Sequence, residues 1–500
     1  MNRRQGTGPL TRGHRLIGFV LALAPLPAAA QIGPLTNQNL FFNQASNAPR
    51  GNYLEADAGL IYSDNVTRVQ NGSGDTLALL GLVGDTSREG PRVDYRLSSD
   101  IALVKYLPSD YQTQPFGYLD GTGSFGIVPG LFSWTGRETY TQTVIDPFAP
   151  VTPDNLESLN YLTTGPRFTL RPTLRTTLTL NGTYSYLSSS SKSPRYVNID
   201  NHRYAGDLTL SHAFSSNSSA YLTGSHEKVD FTDQVDNNDF RQDQGLVGLK
   251  VGDARTLLDV SGGYTRVHEV VLVTVGTLRG PRELPQSQVP SGSVWRVELS
   301  RQISPSSRLS LHAVEQVSDA ANLLRLNLDQ PVPTTAANRL TSGDPFTDRE
   351  LGASWRFQAA RTHLTLGYLD IREHYKIDPT ADRNVKDATA LLGRQLSPVL
   401  NWDVGVEFER QEFALGSSSN TVNAITNLRW QLGRQLAVRF LYARSRLSSS
   451  AGGYSENQVG VMASYALMEG AAGSTQPGAE PAAPPALSPG MQPGSPPRPL

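Results

Sequence analysis

The chain has 500 residues, no cysteine, a formal net charge of -1 and 38% hydrophobic residues. Its mean hydropathy is -0.33, and beyond the N-terminus there is no run of about 18 apolar residues, which excludes a helical membrane protein. The near-neutral charge argues against a basic nucleic-acid binder. The missing cysteine excludes a disulfide scaffold, Cys-ligated metal centres, a Cys nucleophile and an acylated lipoprotein anchor.

Residues 1–30 read as a secretion signal. Arg3, Arg4, Arg12 and Arg15 precede an apolar core from Leu16 to Leu26, too short to span a bilayer. Ala28-Ala29-Ala30 is a small-residue cleavage site, so a mature chain is expected to start at Gln31. Losing the four arginines moves the net charge from -1 to about -5. Residues 31–51 then form a short periplasmic segment.

From residue 52 to 467 one pattern recurs. Segments of about ten residues alternate apolar and polar side chains, the period of a strand with two unlike faces. In 173–186, Leu174, Thr176, Leu178, Leu180, Gly182, Tyr184 and Tyr186 alternate with Arg175, Thr177, Thr179, Asn181, Thr183 and Ser185. Val93, Tyr95, Leu97, Ile101 and Leu103 alternate with Arg92, Asp94, Arg96, Ser98 and Asp100. Trp402, Val404, Val406 and Phe408 alternate with Asp403, Gly405, Glu407 and Glu409, and Leu436, Val438, Phe440 and Tyr442 with Ala437, Arg439 and Leu441.

Short turns are expected at Gly84-Asp85, Pro129-Gly130, Arg171-Pro172-Thr173, 215–218, 252–255, 304–307, 358–361, Ser397-Pro398 and Leu432-Gly433. Longer polar loops lie between them, the longest at 270–292 and 318–346. The resulting unit of about 40 residues holds two strands of about ten residues, whereas a propeller blade holds four short ones. Ten tilted residues cross a bilayer. Short turns on one side and long loops on the other mark an outer-membrane barrel. The expectation is therefore an all-β, antiparallel, up-and-down transmembrane barrel of about 20 strands (16–20, because 117–128 and 240–251 are weak), beginning at 52–63 and ending at 457–467. A soluble sandwich uses the same alternation, but the signal, strand length and loop asymmetry favour the barrel. The Pro, Ala and Gly of 468–500 read as a disordered tail.

If the apolar face meets lipid, the lumen is lined by Arg92, Asp94, Arg96, Arg175, Arg203, Asp207, Arg296, Glu298, Arg356, Asp403, Glu407, Arg429 and Arg439. Such mixed charge suits either a salt-bridged interior or a selective lining for an anionic or sugar solute. Tyr53, Tyr62, Tyr184, Tyr186, Trp295, Trp355, Trp402, Trp430, Tyr442 and Tyr465 lie near strand ends, as interfacial girdles do.

No catalytic, cofactor or metal site is expected. Gly121 to Gly126 matches G-x-G-x-x-G but no helix follows to receive a phosphate. The histidines are scattered. Ser211-His212 and Ser225-His226 are sequence neighbours, which on a strand point to opposite faces. The acidic run 233–239 lacks the glycine and distal Glu of a calcium loop.

Gly59-Leu60-Ile61-Tyr62-Ser63-Asp64-Asn65-Val66-Thr67-Arg68 resembles the opening signature of the β-barrel porin type 2 family. So do the turns Arg301-Gln302-Ile303-Ser304-Pro305 and Arg394-Gln395-Leu396-Ser397-Pro398, and the strand ends Glu227-Lys228-Val229-Asp230-Phe231 and Glu409-Arg410-Gln411-Glu412-Phe413. The segment 457–467 resembles the C-terminal insertion signal of outer-membrane barrels, although it ends on Leu467 rather than an aromatic. The resemblance implies a Gram-negative outer-membrane channel associated with exopolysaccharide export. Its expected partners are outer-membrane lipid and lipopolysaccharide, the barrel-assembly machinery and polysaccharide export proteins, with no nucleic acid. Two other classes stay open: a scaffold barrel docking a periplasmic partner through its tail, and a barrel hydrolase.

Overall fold

A computed structural model describes residues 52–468 except 108–110, 112, 146–151, 191–198, 234–237, 272–281, 284–288, 320–343, 415 and 451. The expected signal, the segment 31–51, the tail beyond 468 and most of the two longest loops lie outside the described residues, as does the middle of the acidic run.

In chain order the strands are β1 (Tyr53–Ser63), β2 (Asp75–Arg88), β3 (Val93–Tyr106), β4 (Gln114–Val128), β5 (Phe132–Val144), β6 (Leu156–Thr173) and β7 (Thr176–Ser189). Next come β8 (Asn201–Ala213), β9 (Ser218–Phe231), β10 (Asp239–Gly252), β11 (Thr256–Val271), the two-residue β12 (Arg282–Glu283), β13 (Gly292–Ser304) and β14 (Ser307–Ser318). The last are β15 (Phe346–Gln358), β16 (Thr362–His374), β17 (Arg383–Ser397), β18 (Leu400–Phe413), β19 (Ser418–Gln431), β20 (Leu436–Ser449) and β21 (Gly452–Met468).

Each long strand pairs antiparallel with the next, and β11 pairs with β13 past the small β12. β21 pairs with β1 from Leu54↔Met468 to Ser63↔Gln458 and closes the sheet. The result is a closed all-β barrel of twenty wall strands, so the two weak segments are full strands, β4 and β10. Closure removes the open edges that would otherwise template aggregation.

Strands run to 14 residues in most of the wall, longer than the ten-residue expectation. Fourteen residues tilted at about 40° rise about 36 Å, against an apolar band of about 25 Å in membrane barrels. The ends therefore project beyond the band and carry polar side chains on both faces. Arg410 and Glu412 near the end of β18 are an outward pair of this kind, 2.5 Å apart.

Two turns differ from the sequence expectation. Gly84-Asp85 lies inside β2, opposite Leu54 and Tyr53 of β1. A Cβ on Gly84 would stand 3.0 Å from Leu54 Cδ1, so this glycine makes room for a neighbour rather than turning the chain. Arg171-Pro172-Thr173 belongs to β6, and the reversal falls on Leu174-Arg175. The Thr173 hydroxyl accepts hydrogen bonds from Arg175 N (3.2 Å) and Thr176 N (3.0 Å), which fixes the turn there. The pairing of β6 with β7 shifts register between Leu170 and Thr173, an irregularity that accommodates a proline without an N–H.

The last loop-end connections are short. At the end of the barrel that holds the long loops, β18 joins β19 through 414–417 and β20 joins β21 through 450–451. Among the described residues no helix is long and apolar enough to cross a membrane.

The outer face is apolar: Leu60, Leu80, Leu82, Leu222, Val247, Leu351, Phe440 and Val459 are all exposed. Aromatics frame it. Trp402 and Trp430 sit near the turn end, and Tyr62, Tyr264 and Tyr442 near the loop end. The indole N–H of Trp402 donates to Thr426 Oγ1 at 2.8 Å, and the Tyr442 hydroxyl donates to Asn457 Oδ1 at 3.1 Å. Tyr53 departs from the girdle expectation, because it shares the inner face with Glu55 and Asp57.

The inner face is not uniformly polar. Near the loop end Ile61, Leu77, Leu79, Ala102, Val104, Tyr106, Ile425, Leu441, Ala443 and Met462 point inward and form one buried cluster. The first loop folds in against it: Val66 joins the cluster and Arg68 is buried.

Candidate functional site: the charged inner wall

Strand alternation places the charged residues. Arg203 and Asp207 of β8, Arg296 and Glu298 of β13, Arg356 of β15, Asp403 and Glu407 of β18, Arg429 of β19 and Arg439 of β20 all occupy inner-face positions. Asp94 and Arg96 share the inner face of β3 with Asp100 but lie exposed at the turn-end rim, where Arg96 Nη2 is 3.6 Å from Asp85 Oδ2. Arg92 and Arg175 do not reach the wall. Arg92 sits in the bend before β3 and Arg175 at the tip of the β6–β7 turn, both exposed. Alternation extrapolated through a turn assigned them to the lumen, and a turn breaks that alternation.

The inward residues form separate groups. At the turn end Arg429 grips Glu55 with both terminal nitrogens, at 3.1 and 2.5 Å. Arg439 reaches the same carboxylate at 2.8 Å and Asp57 at 3.5 Å. Arg429 and Arg439 stand directly opposite each other on β19 and β20. Like charges so placed repel, and the Glu55 carboxylate between them offsets the repulsion.

A second group centres on Arg203. Its two terminal nitrogens donate to Asp319 at 3.0 and 2.5 Å, its Nε to Asn201 at 2.9 Å, and one nitrogen also to Glu227 at 3.3 Å. Asp319 directly follows β14, so this buried pair ties β8 to the loop end of β14. A third group lies near the loop end of β16 and β17, where Arg383 makes a two-pronged contact with Glu373. Its Nε is 3.0 Å from Glu373 Oε2. Beside it, Asp387 of β17 and Glu407 and Glu409 of β18 bring three buried carboxylates together.

The opening motif acts at the seam. Asp64 accepts from both the backbone N and Nδ2 of Asn457, each at 2.7 Å. Asn65 Nδ2 donates to Val69 O (2.8 Å) and Ser455 O (3.1 Å). Arg68 Nε lies 2.7 Å from Glu456 Oε2 and its guanidinium stands 5.5 Å from the Tyr454 ring centre. Burial works against the charge of Arg68, and the adjacent Glu456 carboxylate outweighs it, holding the guanidinium above its ordinary value. These contacts fasten the first loop to the last strand. Glu55, Asp57, Glu373, Arg383, Asp387, Glu409 and Glu456 were not singled out from the sequence as lining. The same two-residue period would have found those in strands; their partners lie up to 393 residues away, as with Ser63 and Glu456.

Ser211 and His212 face opposite sides of β8, and His212 Nδ1 meets Thr176 Oγ1 at 3.0 Å. His226 Nδ1 meets Asp243 on the outer face at 2.7 Å. The G-x-G-x-x-G segment lies within β4 and leads into β5.

No protein-family model matches the chain, and no curated protein matches it. Among solved structures it is similar to the ferric-catecholate import receptor Fiu of E. coli K12, with 10% identity, 84% of this chain and 82% of that chain covered, and a TM-score of 0.42. The siderophore receptor PiuA of Acinetobacter baumannii shows 9% identity over 84% of this chain and 82% of its own, with a TM-score of 0.44. OccD1 (OprD) shows 12% identity over 88% and 97%, with a TM-score of 0.30.

Proposed function

We propose that the protein is a Gram-negative outer-membrane barrel that serves as a channel, reached after cleavage near Ala30. The observation that carries this reading is the two-faced wall. Large apolar side chains are exposed all round the outside, while buried arginine–carboxylate groups line the inside. A bilayer is the solvent that suits the outer face. The proposed orientation puts the short turns in the periplasm and the long loops outside the cell.

The proposed cargo is a polymer, specifically an exopolysaccharide. The resemblance of the opening motif supports this class, and a hydrated wall of mixed charge suits a sugar polymer, although the forks of Arg203, Arg383 and Arg429 are engaged by Asp319, Glu373 and Glu55. The proposed partners are the barrel-assembly machinery, outer-membrane lipopolysaccharide and polysaccharide export proteins.

Membrane recovery with a boiling-dependent mobility shift is expected, and a freely soluble periplasmic protein would sink the location. Deletion is expected to trap polymer in the periplasm, and the purified barrel to conduct in planar bilayers. Normal secretion together with no conductance would overturn the channel reading.

One observation favours a second reading, a scaffold barrel. Arg203, Phe240, Phe346, Gln411 and Gln458 all point inward and are fully buried, so much of the loop-end interior is packed. Truncation after Glu469 separates the two: a channel tolerates loss of the tail, and a scaffold docking through it does not.

A further inference from the structure

We propose that Asp387, Glu407, Glu409 and Gln411 form a binding site for a hard divalent cation, of the Ca²⁺ class, inside the barrel near its loop end. The site stands whether or not the barrel conducts.

Asp387 of β17 and Glu409 of β18 are directly opposite on the inner face, Glu407 lies opposite Thr389 and Gln411 opposite Val385. One oxygen from each of the three carboxylates falls within 4.8 Å of the others. Two oxygens on opposite sides of a Ca²⁺ ion, each at about 2.4 Å, are separated by about that distance. All four side chains are at most 1% exposed. Like charges directly across a ladder destabilise it, and burial makes the repulsion worse. The neighbouring guanidinium of Arg383 is engaged by Glu373 and lies within electrostatic reach of Glu409, one positive charge beside three carboxylates.

A second observation comes from a neutral side chain beside the carboxylates. The Oε1 atom of Gln411 is buried and has no hydrogen-bond partner, although its amide nitrogen donates to Glu409 Oε1 at 2.7 Å. A buried amide oxygen without a donor is costly, and an amide oxygen is a normal ligand for a hard cation. Asp387 Oδ2 is likewise unpartnered. Asn423 Nδ2 donates to Glu407 Oε2 at 2.9 Å and orients that carboxylate. The donors are all oxygen, which selects Ca²⁺ or Mg²⁺ over softer metals. No sequence spacing marks the site, because its ligands alternate along two paired strands.

The test uses the full chain refolded in detergent and freed of metal with a chelator. Calorimetric titration with Ca²⁺ is expected to show one site per chain, and Ca²⁺ is expected to raise the melting temperature. Asp387→Asn and Glu409→Gln should each weaken binding at least tenfold, while Asp243→Asn on the outer face should leave it unchanged. Folding of each variant is checked by the boiling-dependent mobility shift. The proposal is overturned if Ca²⁺ neither binds nor shifts the melting of the native chain, which would mean that the carboxyl groups share protons instead. It is equally overturned if Asp387→Asn and Glu409→Gln bind Ca²⁺ as the native chain does.

Discussion

Two charged groups on the same inner wall are built in opposite ways. At the turn end Glu55 and Asp57 face Arg429 and Arg439, and the Glu55 carboxylate is shared between two guanidinium groups. Near the loop end Asp387, Glu407 and Glu409 converge with a glutamine instead of an arginine. The first group balances two carboxylates against two guanidinium groups, although Asp57 Oδ1 and Arg439 Nε have no hydrogen-bond partner. The second gathers negative charge and unpartnered oxygens at one point. A buried charge needs a partner wherever it lies, so the two groups differ in where the partner comes from.

The largest effect is expected where that balance is broken. Arg439→Met should destabilise the barrel by about 3–5 kcal/mol, because it strands buried carboxylates, as read by denaturant unfolding in detergent. Asp387→Asn in metal-free buffer should do the opposite and raise the melting temperature. If both substitutions destabilise equally, the contrast between the groups is wrong.

The outer face sharpens the same comparison. Leu80 is mid-strand in β2 and exposed, so Leu80→Arg should cost about 2–4 kcal/mol in a bilayer-reconstituted barrel. A neutral result would show that this face does not meet lipid.

At the seam, Asn65→Ala removes two hydrogen bonds donated by the amide nitrogen and two accepted by its oxygen, from Val69 N and Thr67 Oγ1. A loss of about 1–3 kcal/mol is expected, together with faster proteolysis within 64–74. Unchanged cleavage would mean that the loop is held by other contacts.

The smallest effect belongs to a turn. Asp253 accepts from Arg255 N (2.7 Å) and Thr256 N (2.6 Å), and these backbone hydrogen bonds lower its pKa. A lowered carboxyl contributes stability above its unfolded pKa and loses it as pH falls through the folded value. The stability difference between the native chain and Asp253→Ala should therefore be constant at neutral pH and shrink below about pH 4. A difference that grows with acid would contradict the turn geometry.

Most of the wall was legible in the sequence. Trp402 to Glu409 alternate in the structure as they do in the chain, because a strand offers only two faces. The errors fall where a local signal has two physical uses. Gly84 reads as a turn but clears space for Leu54, and Pro172 reads as a turn but sits at a register shift. Arg92 and Arg175 were misplaced because alternation stops at a reversal. The inward apolar cluster around Ile61 and Leu441 was hidden for another reason: a side chain's face is local, while what it meets across the lumen is not.

The sequence by itself therefore determined that the chain is a repeated antiparallel hairpin with one apolar and one polar face, since alternation and turn chemistry are properties of neighbouring residues. Only the tertiary structure decided that twenty strands close through β1 and β21 and which charges meet inside. It joined Glu55 to Arg429 and Arg68 to Glu456, and gathered Asp387, Glu407 and Glu409 at one point. Closure and register bring together residues hundreds of positions apart, and no local pattern encodes that distance.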